Sequence, residues 1–223
     1  MTYEKKLLEH LLTFISENKK ELFLKTINER TQHCTVILED IFQPQNASAV
    51  LRSCDVFGIQ DVHIIENRNT YNVNPKVVQG ASKWININKY NELENNTLSC
   101  INALKNKGYK IYATSPHAIN YSIQNIPIDN KFALLFGTEK EGLSKIALSN
   151  ADELVKIPMV GFTESLNISV SAAICLYEVT KRLHESTIDW QLTEEEKVIQ
   201  LIQWTKKVIK RGEAIERAFL KTL

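Results

Sequence analysis

Short apolar runs alternate with amphipathic stretches through the middle of the chain, and this order constrains the fold more than any other property. Residues 35–38, 62–65, 84–87, 109–113, 132–136 and 153–157 read as strands, brief and rich in Val, Ile, Leu, Phe and Tyr. Between them, residues 46–57 and 93–107 carry apolar side chains at helical spacing. Each stretch is stopped by a glycine, Gly58 or Gly108, which tolerates a left-handed backbone. Strands that alternate with helices predict an α/β domain with a largely parallel sheet. Ligand sites in such sheets lie beyond the carboxyl ends of the strands. Three polar segments fall there: residues 46–52, 136–142 and 158–167.

The flanks have a different texture. Residues 1–32 predict a helical N-terminal extension, with Leu7, Leu8, Leu11, Leu12, Phe14 and Ile15 at helical spacing. Leu22, Phe23 and Ile27 continue that pattern after a charged break at residues 17–21. The α/β domain is expected over residues 33–185, and a helical C-terminal extension over residues 186–223. There Thr193 and the acids Glu194, Glu195 and Glu196 read as a helix cap and first turn. A single helical tail is expected over residues 198–223, with Lys206, Lys207, Lys210 and Arg211 in a stretch free of acids.

Composition excludes several classes. The net charge of +1 means that any polyanion-binding surface must be a local patch. Cys34, Cys54, Cys100 and Cys175 have no CxxC spacing, so they read as reduced packing residues of a cytoplasmic protein, with no structural zinc. The charged N-terminus points away from a signal peptide. No segment approaches the roughly 18–20 apolar residues of a membrane span. His10, His33, His63, His117 and His184 are scattered without metal-ligand spacing, and no nucleophile–base pair stands out. Such a site suits chemistry in which a cofactor supplies the reactive group and the protein supplies positioning and electrostatics, with no metal.

Each polar segment has a plain reading beside a functional one. Asn46 either caps a helix or faces a ligand, and Arg52 is either a solvated side chain or a fork for phosphate or carboxylate. Phe136-Gly137-Thr138-Glu139-Lys140-Glu141-Gly142 is either a tight strand-to-helix turn or a ligand loop, with Gly137 permitting close backbone approach and Glu139 turned inward. Its glycine spacing is not that of a phosphate-binding Walker loop. In Ser165-Leu166-Asn167 a cap explains the Asn, but neither the hydroxyl two residues earlier nor Gly161 before it.

Taken together, the three segments resemble the SpoU branch of the SPOUT methyltransferases, and within it the TrmH type. The first motif is Asn46-x-x-Ala49-x-x-Arg52-x-Cys54-Asp55-x-x-Gly58, and the second Phe136-Gly137-x-Glu139-x-x-Gly142-Leu143-Ser144. The third is Ile157-Pro158-Met159-x-Gly161-x-x-x-Ser165-Leu166-Asn167-x-Ser169-Val170. The resemblance implies a parallel sheet flanked by helices, a C-terminal trefoil knot, S-adenosylmethionine as cofactor, and a homodimer whose sites draw on both subunits. It implies 2′-O-methylation of a tRNA guanosine, number 18 in the D-loop, with ribosomal RNA, another tRNA position or a non-catalytic RNA-binding role as alternatives. Arg52 is then the central catalytic residue, with Asn46, Glu139, Ser165 and Asn167 around it. Thr114, Gly137, Ile157 and Leu166 line the cofactor pocket together with Thr138, Glu139, Lys140 and Glu141. Relatives that act on ribosomal RNA commonly carry an extra N-terminal α/β domain, for which the residues before the first strand leave no room. Lys206, Lys207, Lys210 and Arg211 are expected on tRNA phosphates.

Overall fold

The computed structural model describes residues 2–72 and 74–221. They form two compact units: Gln32–Trp190, and the residues before Gln32 together with those after Trp190. Two helices, α1 (Tyr3–Leu12) and α2 (Glu17–Ile27), precede a seven-stranded sheet. Its strands are β1 (Cys34–Glu39), β2 (Asp61–Ile65), β3 (Asn86–Tyr90), β4 (Lys110–Thr114), β5 (Tyr121–Ser122), β6 (Phe132–Phe136) and β7 (Glu153–Lys156). Every pairing is parallel, in the order β3-β2-β1-β6-β4-β7-β5. All carboxyl ends therefore share one edge, and the crossovers lie on the faces, as parallel strands require.

The helices of this unit are α3 (Pro44–Val56), α4 (Pro75–Val78), α5 (Asn96–Asn106), α6 (Lys145–Asn150) and α7 (Ile168–His184). Alternation along the strands sorts them into two layers. Val36, Leu38, Leu134 and Phe136 face one core with Val50 and Leu51 of α3 and Leu176 and Val179 of α7. Ile37, Ala133, Leu135 and Ile111 face the other with Ile101 and Leu104 of α5 and Ala147 of α6. Every residue of β1 is buried, as expected of a strand at the centre of a sheet covered on both sides.

Several boundaries differ from those the periodicity suggests. Helix α3 starts at Pro44, before Asn46, because the fixed φ of proline suits a first turn whose N–H needs no partner. The strand expected at residues 84–87 runs Asn86–Tyr90, since Gly80 at φ 84 opens a short 3-10 turn that occupies Ala81–Lys83. Helices α4 and α6 and strand β5 are too short for a period to reveal.

In the second unit, α1 and α2 are joined by α8 (Glu194–Val208) and α9 (Gly212–Leu220). The charged segment 17–21 lies inside α2, and the break falls earlier, where the Ser16 hydroxyl accepts the Lys19 N–H. Thr193 and Glu196 form a reciprocal capping box on α8. The expected single tail is broken: Arg211 adopts φ 65, and a Cβ on Gly212 would fall 2.6 Å from the Lys206 carbonyl oxygen. Glycine is what lets α9 turn back on α8. Leu7, Leu11, Phe23, Ile27 and Trp204 fill the centre, with Phe23 edge-on to Trp204 at 5.6 Å and the Arg30 guanidinium over the indole at 5.3 Å.

His63 on β2 is buried, and desolvation together with the Lys107 charge lowers its pKa from 6.5 to about 4. Between those values the unfolded chain binds a proton that the folded chain refuses, so stability rises with pH across that window. Urea titrations should show up to about 3 kcal/mol lost on going from pH 7.5 toward pH 4.5, beyond the loss in a His63→Gln variant. Equal pH slopes for the two proteins would refute the assignment.

Candidate active site

The carboxyl ends of β4, β6 and β7 open onto a cleft of about 390 Å³, a size suited to a small organic ligand. Three connections wall it: Thr114 to His117 after β4, Gly137 to Leu143 after β6, and Ile157, Met159, Ser165 and Leu166 between β7 and α7. Phe136, Val155, Ile168 and Cys175 make its apolar floor.

The loop after β6 is shaped by its glycines. Thr138 and Gly142 exchange backbone hydrogen bonds of 3.0 and 3.1 Å, which folds the loop onto itself. A Cβ on Gly137 would lie 2.3 Å from the Gly142 carbonyl, so no larger residue fits there. Gly142 itself sits at φ 69, where a side chain would be strained.

Beyond the loop, Ser144 is fixed by a buried acid. The Glu39 carboxylate, at the end of β1, accepts the Ser144 N–H at 2.8 Å and its hydroxyl at 2.7 Å, and the Thr97 hydroxyl at 2.6 Å. The Ser144 oxygen also accepts the Ala147 N–H at 3.0 Å and so caps α6. Sequence reasoning passed over Glu39, although a carboxylate closing a wholly apolar run was the available signal. It also missed Ser115, Pro116 and His117, which periodicity leaves in an undistinguished connection.

A polar relay joins the three motif segments. The Asn46 side-chain amide donates to Glu139 Oε1 and, at 3.3 Å, to Gln43 Oε1. The Asn167 amide donates to Asn46 Oδ1 at 3.2 Å. Asn167 Oδ1 in turn accepts the Ser169 N–H at 2.8 Å and hydroxyl at 2.6 Å, capping α7. Asn46 is therefore no helix cap but a buried linker between the other two segments. Ser165 lines the cleft.

Arg52 is not brought into this cleft. It is exposed on α3, does not line the cavity, and makes no hydrogen bond or ion pair with any described residue. Thr114, Gly137, Ile157 and Leu166 do line it, as do Thr138, Glu139, Lys140 and Glu141. In the other unit, Lys206 is held by Glu213 at 2.9 Å and by Glu216. Burial lowers its pKa, but those two carboxylates outweigh burial and raise it. Lys207, Lys210 and Arg211 are exposed.

Fold and cleft define an α/β protein with a cleft sized for a small ligand at the strand ends, walled by backbone, apolar and carboxylate groups. The SpoU rRNA methylase family profile matches residues 33–177. A tRNA (guanosine(18)-2′-O)-methyltransferase of Borreliella burgdorferi is 46% identical over 92% of this chain and 93% of its own. The enzyme of the same description in Thermus thermophilus is 31% identical over 75% of this chain and 84% of its own. Among solved structures, the A. aeolicus TrmH/SpoU tRNA modifying enzyme superposes with a TM-score of 0.76 at 27% identity, covering 87% of this chain and 98% of its own. A SpoU methyltransferase from Streptomyces viridochromogenes, solved with AdoMet, shares the fold at a TM-score of 0.61 and 23% identity, covering 73% of this chain and 62% of its own. The chain belongs to the SpoU methylase family and is a methyltransferase.

Gly137→Ala should force the loop after β6 apart, because the opposing atoms are backbone and cannot move aside cheaply. The expected destabilisation is about 3 kcal/mol, the upper range for overpacking. Faster amide exchange over residues 138–144 should accompany the lowered Tm. A variant with wild-type Tm and exchange would contradict the packing described.

Proposed function

We propose that this chain transfers the methyl group of S-adenosylmethionine to the ribose 2′-hydroxyl of guanosine 18 in tRNA. The observation that carries this reading is the reach of the Borreliella similarity. It covers 206 residues, more than the family profile, and so runs beyond residues 33–177 into the terminal helices. That favours a tRNA substrate over the ribosomal RNA of the family's description.

The cleft suits the proposed cofactor. A nucleoside without phosphates needs apolar walls rather than a glycine-rich phosphate cradle, and Leu143, Ile157, Met159 and Leu166 offer them. The carboxylates of Glu139 and Glu141 suit its positive charge. When bound, the cofactor supplies an electrophilic methyl group. The chain's own residues then have to hold the ribose in line and help its hydroxyl lose a proton.

Asn46 and Asn167 keep Glu139 turned toward the cleft, and the Ser165 hydroxyl orients the sugar. Arg52 clamps the phosphate beside the target ribose with its planar fork, and its charge stabilises the developing 2′-oxyanion. A guanidinium keeps its proton at any working pH and is not the base, so the proton leaves through that phosphate or water. A homodimer supplies Arg52 to the cleft and covers the exposed apolar residues Val170, Ile174 and Tyr177 of α7 and Val56 of α3. The trefoil knot belongs to the same reading and is supported by the insertion of β6 between β1 and β4. Lys207, Lys210 and Arg211 present exposed positive charge to tRNA phosphates, and Lys206 joins them if it leaves Glu213 and Glu216. The compartment is the cytoplasm, where the substrate is; no described helix is long and apolar enough to cross a membrane.

Labelled methyl transfer to unmodified tRNA transcripts and to ribosomal RNA fragments, followed by mapping of the modified ribose, tests the proposal. It expects 2′-O-methylguanosine at position 18; label confined to ribosomal RNA would overturn the substrate and keep the chemistry.

Arg52→Lys should lower kcat on the order of 100-fold, the scale of one lost transition-state donor. A pH–rate profile measured beside wild type should keep its shape, since Arg52 is not the titrating base. Near-full activity in the Lys variant would exclude bidentate positioning.

A further inference from the structure

The connection after β2 contributes nothing to the cleft wall, yet its backbone is firmly held. Asp40, just beyond β1, adopts a left-handed conformation at φ 52. Its Oδ1 accepts the N–H groups of Asn67 at 2.7 Å, Arg68 at 2.9 Å and Asn69 at 3.4 Å. The Asn69 amide donates back to the Asp40 carbonyl at 2.8 Å, and the Asn67 amide donates to the Thr97 hydroxyl at 2.9 Å. Aspartate tolerates this backbone because its short side chain bonds locally, but strain of this kind persists only where the surroundings enforce it.

The Arg68 side chain is treated in the opposite way. It is 79% exposed, and its guanidinium meets a single carboxylate, Glu141 at 3.4 Å, with no other ion pair among the described residues. Glu141 is itself 72% exposed and lines the cleft. An exposed pair of this kind contributes little to stability. A locked backbone beneath an exchangeable guanidinium at the rim of a cleft is arranged to capture an anion. The planar fork of arginine matches phosphate oxygens bidentately, and every ribose in RNA is flanked by phosphates.

We infer that Arg68 is a phosphate-binding residue for the RNA strand at the cleft, exchanging Glu141 for a backbone phosphate that flanks the target nucleotide. The inference rests on the RNA-methylating reading above. Arg68 differs from Arg52 in its work: it holds substrate equally in the ground and transition states, so it acts on KM and not on kcat.

The test measures Kd for an unmodified tRNA transcript across a KCl series, with full-length wild type, Arg68→Ala, Arg68→Lys and Glu141→Gln. Arg68→Ala should weaken RNA binding about 10-fold and flatten the log–log salt slope by about 0.7–0.9, one phosphate's share. Its affinity for S-adenosylmethionine and its kcat at saturating RNA should stay at wild-type values. Arg68→Lys should recover part of the loss, and Glu141→Gln should tighten RNA binding by removing the competing carboxylate. Unchanged RNA affinity and slope in Arg68→Ala, or an equal loss of cofactor affinity, would overturn the inference while tRNA methylation stood. An Arg68-dependent slope in a chain that methylates no RNA would keep Arg68 and sink the functional reading.

Discussion

The buried carboxylate of Glu39 is the constraint on which the site depends. A charge 2% exposed at the end of a central strand is costly unless its lone pairs are filled. Here they are filled by Thr97 in the first turn of α5 and by Ser144 at the start of α6, and both helix N-termini favour the negative charge. The acid thereby anchors the far end of the loop that walls the cleft. Its neighbour Asp40 gathers the amides of the next connection in the same way. Adjacent acids at the end of β1 thus organise two loops at the same edge of the sheet.

On this base stands a relay of weakly polar groups. Glu139, Asn46 and Asn167 come from segments far apart in sequence, and each satisfies another's side chain. The arrangement contains no strong acid–base pair of its own. It fixes direction, which is what a transfer reaction with a reactive cofactor demands of its protein. The cation of the motif set, Arg52, stands apart on α3 without a hydrogen bond or ion pair to any described residue, so one chain's cleft lacks it. The exposed apolar residues of α3 and α7 are the surface on which the proposed homodimer rests.

Much of this was legible in residue order. Val36, Leu38, Leu134 and Phe136 declare buried strands by composition, and Gly58 and Gly108 end their helices where a left-handed residue is needed. Gly137 was expected at a close backbone approach, and the approach is to Gly142 of its own loop. Short elements were illegible, since four residues of α4 or two of β5 carry no period. The break before α9 was also hidden: Gly212 is needed by contact with Lys206, not by local preference. Lys206 looked free in a run without acids, but Glu213 and Glu216 return to it from the next helix.

By itself, the sequence determined the alternation of strands and helices, the parallel class of the sheet, and the three motif segments at its carboxyl edge. Local propensity, hydrophobic period and glycine placement suffice for these, because they are properties of neighbours in the chain. Tertiary structure alone decided the strand order, the pairing of Asn46 with Glu139 and Asn167, the burial of Glu39, and the rim contact of Arg68 with Glu141. Those depend on which distant segments the packed cores bring within hydrogen-bond reach, and no local pattern carries that information.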